Sequence, residues 1–580
     1  MAHVRRKLIN DPDSLIEDLI EGMVSAHPQH LRVEGETGRA IVAVNGPREG
    51  KVGIVVGGGS GHEPAFAGYV GRGLADSAPL GNIFASPSPS QIMDAGFAAD
   101  GGAGVLFLYG NYTGDVMNFA MAAEGLAERG ITARSFVVTD DIASAPLGNI
   151  EERRGIAGDF FVFKVAGAAA DLGLTMEAVE AAAERANGAT RTMGVALSAC
   201  TMPQTGKANF ELPVGEMEIG MGIHGEPGVE RGPAASADAV AKKLLDPILE
   251  ELDLQTGDKV AVLVNGLGST SLLELYILHR RVAKTLAAVG VTIHMSWVGE
   301  YCTSLDMEGA SITVLKLDDD LETWLDHPCE TPALCVGQAG AVASAPVRKQ
   351  MARAKPVARK TVDRSALNPK GDVSPEKFRQ LMMASVHAIQ AARDHLNALD
   401  GAIGDGDHGI TMEIGWKAVR DVLEATDRSA TISELCDNIA EAFLESVGAS
   451  AGPLYSSGFR AAGAVVSDRL NLDAEASVAW LDAMAGGIQT RGGALAGQKT
   501  MLDAWLPAAA AAKETLNVKG TTAQCLSAAA IAASNGAQST KEMLSQMGRS
   551  KKLGERSIGH VDPGAASAAL LLKTWAAEIS

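Results

Sequence analysis

A glycine-rich turn at residues 399–409 places three carboxylates, Asp400, Asp405 and Asp407, close together in the chain. Like charges at this spacing repel one another unless a cation lies among them. Mg²⁺ prefers carboxylate oxygens and binds substrate phosphates as well. Glycines let the backbone approach a phosphate closely, and the helix predicted after the turn offers free N–H groups to an anion. The turn therefore predicts a Mg-nucleotide site.

The alternative for this turn is a solvated acidic loop between two helices. The third aspartate and the glycines favour the metal site over that alternative. An EF-hand is excluded, because its loop of about twelve residues needs further oxygen ligands and ends on a bidentate Glu. Here Asp407 is followed directly by His408 and Gly409.

An earlier glycine-rich stretch, residues 57–64, follows a short apolar run and contains Gly59, Ser60, Gly61 and His62. A histidine beside a tight glycine loop indicates a polar site close to the backbone. The full dinucleotide-binding fingerprint is missing, because Pro64 stands where its third glycine would be. A tight connection without a ligand remains the alternative.

Two further stretches carry a single reactive side chain each. Asp115 follows an apolar run, where a carboxylate can orient a histidine or move a proton. Its alternative role is to cap the next helix. His224 lies in a glycine-dense stretch that lets a small ligand approach, and a neutral imidazole is a possible nucleophile toward a carbonyl. A purely structural histidine is the alternative there.

The elements that must position these groups change character along the chain. Up to about residue 335, apolar runs at 50–56, 104–109, 135–139, 194–198 and 259–264 alternate with helix-length segments. This pattern predicts an α/β fold with parallel strands buried on both faces. In such sheets ligands collect at the carboxyl ends of the strands.

Beyond this part, residues 336–371 are rich in Pro, Ala and basic side chains and are interpreted as an inter-domain linker, with an acidic-partner site as the alternative. From Ser374 the pattern is helical. Ser374 and Pro375 predict a helix start, and one apolar face follows at helical spacing: Phe378, Leu381, Met382, Ser385, Ile389, Ala392, Leu396 and Leu399. The region 372–580 is therefore predicted to be all-α.

Composition narrows the class of protein. The chain has 580 residues and a net charge of −20, which disfavours nucleic acid and anionic membranes as partners. No apolar run approaches the roughly 18 residues of a membrane span, and the basic N-terminus does not resemble a secretory signal. Scattered cysteines predict reduced thiols, so a cytoplasmic location is expected.

The motifs at 57–64, 111–115, 404–409 and 554–564, taken in this order, resemble those of ATP-dependent dihydroxyacetone kinases. That family fuses a K-type ketose-binding domain of two α/β lobes to an all-α, helical-barrel L-type domain that binds Mg-ATP. The resemblance covers residues 1–335 and 372–580. It implies that Mg²⁺ and ATP are used, and that the chain forms a homodimer with swapped domains.

The resemblance also implies roles for individual residues. Gly59, Ser60, Gly61 and His62 would line the ketose, with His62 transferring a proton. Asp115 would act as acid/base on the reacting hydroxyl, and His224 would hold the ketose as a covalent hemiaminal. Asp400, Asp405 and Asp407 would hold Mg²⁺. The residues expected around the nucleotide are His408, Gly409, Ile410, Thr411, Ser450, Ala451, Gly492, Met501, Arg549, Asp562, Pro563 and Gly564.

The sequence departs from the family pattern at three places. Gly110, which borders the expected substrate site, stands where many members have a lysine. We hypothesise that this change opens the pocket to a larger ketose such as erythrulose. Gln498 replaces a frequent aspartate, and Gly-Ala-Ser-Ala-Gly-Pro at 448–453 replaces Gly-Gly-x-Ser-Gly. The last two changes leave the three aspartates of the metal site intact.

The favoured function is an ATP-dependent kinase acting on a terminal hydroxyl of erythrulose or dihydroxyacetone. One alternative is a phosphotransferase whose tightly bound ADP is recharged by a phosphoprotein. Another is a carbonyl-binding regulator without turnover, which the aspartate triad disfavours. A nucleotide cyclase side activity, known in some relatives, stays open.

Overall fold

The computed structural model describes residues 7–338, 367–404 and 406–579. Most of the predicted linker, and Asp405 of the predicted metal site, lie outside these residues. The chain divides into two compact units, Met1–Met351 and Ala352–Ser580. Within the described part of the chain, no helix has the length and apolar character needed to cross a membrane.

The first unit is built from strands and helices in alternation. Its strands are β1 (Leu31–Glu34), β2 (Ala40–Ala43), β3 (Gly53–Val56), β4 (Gly58–Ser60), β5 (Ser77–Ile83), β6 (Val105–Gly110), β7 (Ala133–Val138), β8 (Thr190–Ala196), β9 (Glu216–Ile219), β10 (Glu230–Pro233), β11 (Lys259–Gly266), β12 (Thr292–Gly299), β13 (Gly309–Leu317), β14 (Cys329–Glu330) and β15 (Cys335–Val336). Its helices are α1 (Leu15–Ala26), α2 (Pro89–Ala99), α3 (Thr113–Ala127), α4 (Asp159–Asp171), α5 (Met176–Ala189), α6 (Ala237–Leu252), α7 (Leu272–Ala288) and α8 (Asp319–Asp326).

The first sheet has the strand order β1-β2-β5-β3-β6-β7, and β4 pairs with β5. Strands β3, β6 and β7 run parallel, as predicted from their apolar runs. Every residue of β3 and β6 is buried, which explains why these strands are apolar without alternation. Strands β1 and β2 add an antiparallel edge.

The second sheet has the order β10-β9-β8-β13-β11-β12. The apolar runs at 194–198 and 259–264 contribute to β8 and β11, yet β13 pairs antiparallel with both. Only β11 and β12 are parallel among the described pairs of this sheet. The prediction of parallel strands is therefore wrong for most of this sheet. A strand buried on both faces carries the same apolar run whichever way its neighbour runs.

The second unit is helical, as predicted. Its helices are α9 (Pro375–Gly401), α10 (His408–Ala425), α11 (Ile432–Ser446), α12 (Ala451–Val465), α13 (Ala474–Gly492), α14 (Leu502–Asn517), α15 (Thr522–Ser539) and α16 (Pro563–Ile579). The hydroxyl of Ser374 accepts the Lys377 N–H at 3.2 Å and so caps α9. The core includes the buried side chains of Trp416, Trp505 and Trp575. The two-part fold class, α/β followed by all-α, is confirmed.

Candidate functional site

Two histidines from distant stretches of the first unit lie side by side. His62 follows β4 and His224 lies between β9 and β10, with 3.1 Å between their Nε2 atoms. Nδ1 of His62 donates a hydrogen bond to the carbonyl oxygen of Thr303, at 2.8 Å. Burial and the charge of His224 lower the pKa of His62 to about 3. At neutral pH, Nε2 of His62 is therefore an acceptor that faces His224.

The other side of His224 is held by Glu226, two residues further along the chain. Oε1 of Glu226 is 3.1 Å from Nδ1 of His224, and Oε2 accepts the backbone N–H of His224 at 3.0 Å. Since both ring nitrogens of His224 face acceptors, the geometry fits an imidazolium that donates to His62 and to Glu226. Both His224 and Glu226 are buried, so their opposite charges compensate each other away from water.

A buried guanidinium stands behind Glu226. Nη1 of Arg154 is 3.8 Å from Oε2 of Glu226, and Nε of Arg154 donates to Asp141 at 2.7 Å. Nη2 of Arg154 donates to the carbonyl oxygen of Gly220 at 3.0 Å. Burial alone would lower the pKa of Arg154, but the carboxylates of Asp141 and Glu226 raise it above its ordinary value. The guanidinium therefore stays charged.

Asp115 lies in the first turn of α3 and is buried. Tyr112, not Asp115, occupies the capping position of this helix, so the alternative role of Asp115 as the helix cap is not supported. The ring of Tyr112 packs edge-on against His224, with 4.7 Å between the ring centroids. Tyr112, at the start of α3, therefore contacts the histidine pair through His224. Burial and the charges of Asp140 and Asp115 raise the pKa of nearby Asp159 well above its ordinary value.

The glycine loop before His62 is shaped by close backbone contacts. A Cβ at Gly59 would lie 2.6 Å from the backbone nitrogen of Ala85, and Gly61 has a φ of +101°. The hydroxyl of Ser60 donates to the carbonyl oxygen of Gly81 at 2.8 Å. Glycine is therefore required here by packing and by backbone conformation. The predicted contacts of Gly59, Ser60 and Gly61 with a ketose stay predictions.

Gly110 closes β6, and the space beside it is filled. A Cβ at this position would lie 2.9 Å from the carbonyl oxygen of Gly155 and 3.2 Å from the ring of Tyr112. In turn, a Cβ at Gly155 would lie 2.5 Å from the Cα of Gly110. The volume beside the Gly110 Cα is therefore occupied by the backbone at Gly155, and the expectation that Gly110 opens the pocket to a larger ketose stays a prediction.

In the second unit, Asp400 and Asp407 lie at the turn between α9 and α10. Oδ2 of Asp400 accepts the backbone N–H groups of Asp407 and His408 at 2.9 and 3.2 Å. The side chain of Asp407 makes no capping hydrogen bond with the described residues. Burial and the charge of Asp400 raise the pKa of Asp407 to about 7. Carboxylates that repel each other at this distance from water fit a hard divalent cation such as Mg²⁺, and of the two Asp400 is buried and Asp407 is half-buried.

Asp562, which precedes α16, belongs to the same electrostatic cluster. Burial raises the pKa of Asp562 to about 7, and the charge of Asp400 adds to this effect. Oδ2 of Asp562 accepts the N–H of Ala565 at 2.7 Å and so caps the first turn of α16. A carboxylate predicted to contact the nucleotide therefore lies within electrostatic reach of a predicted metal ligand.

The predicted nucleotide residues collect at helix ends. Helices α10, α12 and α16 begin at His408, Ala451 and Pro563, and α13 ends at Gly492. The remaining predicted residues are Gly409, Ile410 and Thr411 in α10, Ser450 and Met501 before α12 and α14, Arg549 at the start of the 3₁₀ segment Arg549–Ser557, and Gly564 in α16. Helix N-termini supply N–H groups that suit phosphates.

Contacts join some of these helix ends. Nε2 of His408 and the hydroxyl of Ser567 are 2.9 Å apart, which links the start of α10 to the start of α16. A Cβ at Gly564 would lie 3.4 Å from the Cβ of Met501. A Cβ at Gly409 would lie 2.0 Å from the carbonyl oxygen of Arg393 in α9. Close helix packing therefore explains the glycine at 409 without a ligand.

Sequence reasoning missed the charges that surround His224. Glu226 lies inside a stretch that was singled out, and its spacing of two residues from His224 was the available signal. Arg154 belongs to the run Glu151–Arg154, which has the composition of a solvated surface segment. In the structure Arg153 and Arg154 are both buried. Burial of a charged pair cannot be read from composition.

Known proteins resemble this chain along nearly its whole length. The chain matches the Dak1 domain at residues 21–333 and the DAK2 domain at residues 402–577. It is 37% identical to the L-erythrulose kinase of Pectobacterium atrosepticum over 99% of this chain and 96% of the relative. It is 39% identical to the D-erythrulose kinase of Mycolicibacterium smegmatis over 98% of both chains.

A solved structure shares this two-part organisation. It is the dihydroxyacetone kinase of C. freundii in complex with AMP-PNP and Mg²⁺, which is 29% identical over 99% of both chains with a TM-score of 0.52. The chain belongs to the dihydroxyacetone kinase family, with Dak1 and DAK2 domains fused in one polypeptide. It is an enzyme of the class that transfers phosphate to an alcohol group.

Proposed function

We propose that this protein is an ATP-dependent kinase that phosphorylates a terminal hydroxyl of a short-chain ketose held covalently by His224. The observation that carries the proposal is the buried His224 ring, with Glu226 on Nδ1 and His62 facing Nε2. An imidazole held in this way has one nitrogen fixed by a carboxylate and the other beside a proton acceptor. Such an arrangement suits addition to a carbonyl.

The capture step balances without a further reactant. Nε2 of His224 passes its proton to Nε2 of His62 and then forms a bond to the carbonyl carbon. The C=O double bond becomes a single bond, and its oxygen takes the proton from His62. The product is a hemiaminal whose imidazolium keeps the Nδ1 proton facing Glu226, so the net charge is unchanged. Glycerol has no carbonyl and cannot be captured.

The remaining roles are proposed from the sites described above. Asp115 takes the proton of the reacting hydroxyl, and Gly59, Ser60, Gly61 and Gly110 border the ketose. Asp400, Asp405 and Asp407 hold Mg²⁺, which neutralises phosphate charge when bound. ATP lies at the helix ends that carry His408, Gly409, Ile410, Thr411, Ser450, Ala451, Gly492, Met501, Arg549, Asp562, Pro563 and Gly564.

The preferred acceptor is proposed to be an erythrulose, with dihydroxyacetone as the smaller alternative. The names of the relatives support this choice, since two of them are erythrulose kinases. The packing of Gly110 against Gly155 does not, because it leaves no added space at that position. The loss of a charged donor at 110 is the remaining effect of the substitution.

The domain boundaries belong to the same proposal. We assign the ketose to residues 1–335 and the nucleotide to residues 372–580, joined by a linker at 336–371. A homodimer is proposed on the family resemblance alone. Sedimentation of the full chain tests the dimer, because a monomer at micromolar concentration would contradict it.

The test of the function is ADP release from Mg-ATP with dihydroxyacetone, D-erythrulose, L-erythrulose, D-glyceraldehyde and glycerol in parallel. We expect a ketose to be the best acceptor and glycerol to be inactive. ATP must suffice as donor, because the proposal excludes a phosphoprotein. The variant His224→Ala is expected to lose roughly 10³-fold or more in kcat/KM for the ketose. Equal turnover of glycerol and ketose would contradict covalent capture.

A further inference from the structure

Behind His224 runs a line of buried charges that the family resemblance did not assign. Its members are Glu226, Arg154 and Asp141, which are 4%, 2% and 1% exposed. Distances of 3.1, 3.8 and 2.7 Å connect His224 to Glu226, Glu226 to Arg154, and Arg154 to Asp141. Buried charges are costly unless they are paired, so this line has to be explained.

The carboxylate of Glu226 performs two separable tasks. Oε2 accepts the backbone N–H of His224 and so helps to hold the loop, which is a structural task. Oε1 faces Nδ1 of His224 and fixes the proton there, which directs the other nitrogen to the ligand. A hemiaminal on Nε2 keeps the ring an imidazolium, and the carboxylate compensates that charge.

Arg154 is placed to keep Glu226 ionised. Its Nε and Nη2 are used on Asp141 and the carbonyl oxygen of Gly220. Nη1 faces Glu226 at 3.8 Å, which is an ion-pair distance and longer than a hydrogen bond. Because Nη1 faces Oε2, Arg154 offsets the charge of Glu226 without competing for Oε1, the oxygen that faces the His224 ring.

We infer that Glu226 and Arg154 are positioning residues for the nucleophile: Glu226 sets the protonated nitrogen of His224 and compensates the hemiaminal charge, and Arg154 acts through Glu226. This inference rests on the proposed function, because it presupposes capture of a ketose by His224. According to this inference, the two residues act on the covalent capture of the ketose and not on the folding of the loop that carries His224.

The decisive variant is Glu226→Gln, which keeps the side-chain shape and retains one oxygen for the backbone N–H of His224. Its amide NH₂ then faces Nδ1 of His224 and drives the proton to Nε2. We expect kcat/KM for the ketose to fall on the order of 10⁴-fold, the effect that a carboxylate-to-amide change has when it leaves an imidazole in the wrong tautomer. Circular dichroism and hydrogen exchange of the strand segments serve as the folding check.

Two spectroscopic readouts separate positioning from a structural role. In wild type, ¹⁵N NMR of labelled histidine should show His224 protonated at both ring nitrogens, and in Glu226→Gln it should show the neutral Nε2–H tautomer. With a ketose labelled with ¹³C at its carbonyl, wild type should give a tetrahedral carbon resonance, which the variant should lose. A purely structural role would move neither signal in a folded variant.

Glu218→Gln is the matched control. Glu218 is buried in the same part of the unit, accepts the N–H of Gly228 at 2.7 Å and pairs with Arg231 at 2.6 Å. These contacts of Glu218 go to Gly228 and Arg231 and not to the histidine pair. The variant should therefore leave kcat/KM and both NMR readouts unchanged. An equal loss in Glu218→Gln would assign the effect to the loop and overturn the inference.

The role of Arg154 is tested by a double-mutant cycle with Arg154→Lys, which keeps the charge beside Asp141. If Arg154 acts through Glu226, the double variant should be no worse than Glu226→Gln alone. A further loss would overturn the role assigned to Arg154. If wild type itself shows neither ketose-dependent ADP release nor the tetrahedral resonance, the proposed function fails. If wild type shows both and Glu226→Gln retains them, only the present inference fails.

Discussion

His62 must remain neutral in the folded protein to accept the proton of His224. Burial and the charge of His224 lower its pKa to about 3, whereas the unfolded chain titrates near about 6.5. Between these values the unfolded state binds a proton that the folded state does not. The stability gained from neutral His62 is therefore fully present above about pH 6.5 and is lost as the pH falls toward 3.

We therefore expect His62→Asn to flatten the decline in the free energy of unfolding of the first unit between about pH 6.5 and 4. The difference from wild type should grow by at most ~1.4 kcal/mol per pH unit. Hydrogen exchange of peptides from β3 and β6, followed as a function of pH, measures this free energy of unfolding in both proteins. Exposed His387 in the second unit provides the control His387→Asn. Identical slopes for all three proteins would rule out a buried neutral His62.

Gly110 offers a test of packing at the same scale. Gly110→Ala places a Cβ 2.9 Å from the Gly155 carbonyl oxygen. Overpacking of this kind should lower the free energy of unfolding by about 1–3 kcal/mol. The control is Gly188→Ala in α5, where a Cβ meets no atom within 4 Å and helix propensity should favour alanine. Urea denaturation followed by circular dichroism compares them, and equal stability of Gly110→Ala and wild type would mean that the 110–155 contact is loose.

Single residues show where sequence reasoning reaches its limit. His62, Asp115 and His224 could be selected because each is a reactive side chain beside glycines or at a strand end. Arg154 could not, because its neighbours Glu151 and Glu152 make the run look solvated. What decides its role is burial beside Asp141 and Glu226, and burial depends on chain segments far apart in sequence.

At the scale of elements, apolar runs located strands well and their directions poorly. The runs at 50–56 and 104–109 became the parallel strands β3 and β6, whereas 194–198 and 259–264 joined a largely antiparallel sheet. The start of α9 was predictable because Ser374 and Pro375 act locally. Strand direction depends on partners that the local sequence does not specify.

The turn between α9 and α10 yields a prediction for metal binding. Burial and the charge of Asp400 raise the pKa values of Asp407 and Asp562 to about 7 each. Below this pH the carboxyls are protonated, and Mg²⁺ must displace the protons. Affinity for Mg²⁺ should therefore increase as the pH rises from about 6 to 8, by up to tenfold per pH unit for each proton released.

Calorimetry in two buffers of different ionisation enthalpy measures this proton release directly. Asp407→Asn should weaken Mg²⁺ binding and reduce the number of protons released. Asp482→Asn serves as the control, since Asp482 is paired with Lys513 at 2.6 Å on another part of the unit. Affinity that does not change with pH would contradict the assignment of Asp407 to the metal.

For the whole molecule, the two-part organisation could be predicted from the change in hydrophobic pattern along the chain and from the motifs. The match to Dak1 and DAK2 domains confirms the family. The net charge of −20 disfavours polyanionic partners. Each unit has its own hydrophobic core, so the chemistry assigned to one unit should survive a substitution in the other. The proposal divides the work accordingly: ketose capture in the first unit and Mg-ATP binding in the second.

Covalent capture of the ketose by His224 is tested most directly by the ¹³C NMR spectrum of the protein with a ketose labelled at the carbonyl carbon. We expect a tetrahedral carbon resonance for bound ketose in wild type and in Asp407→Asn, and its absence in His224→Ala. Asp407→Asn should meanwhile lose most ketose-dependent ADP release. A bound ketose that shows only a ketone resonance in wild type would contradict capture by His224.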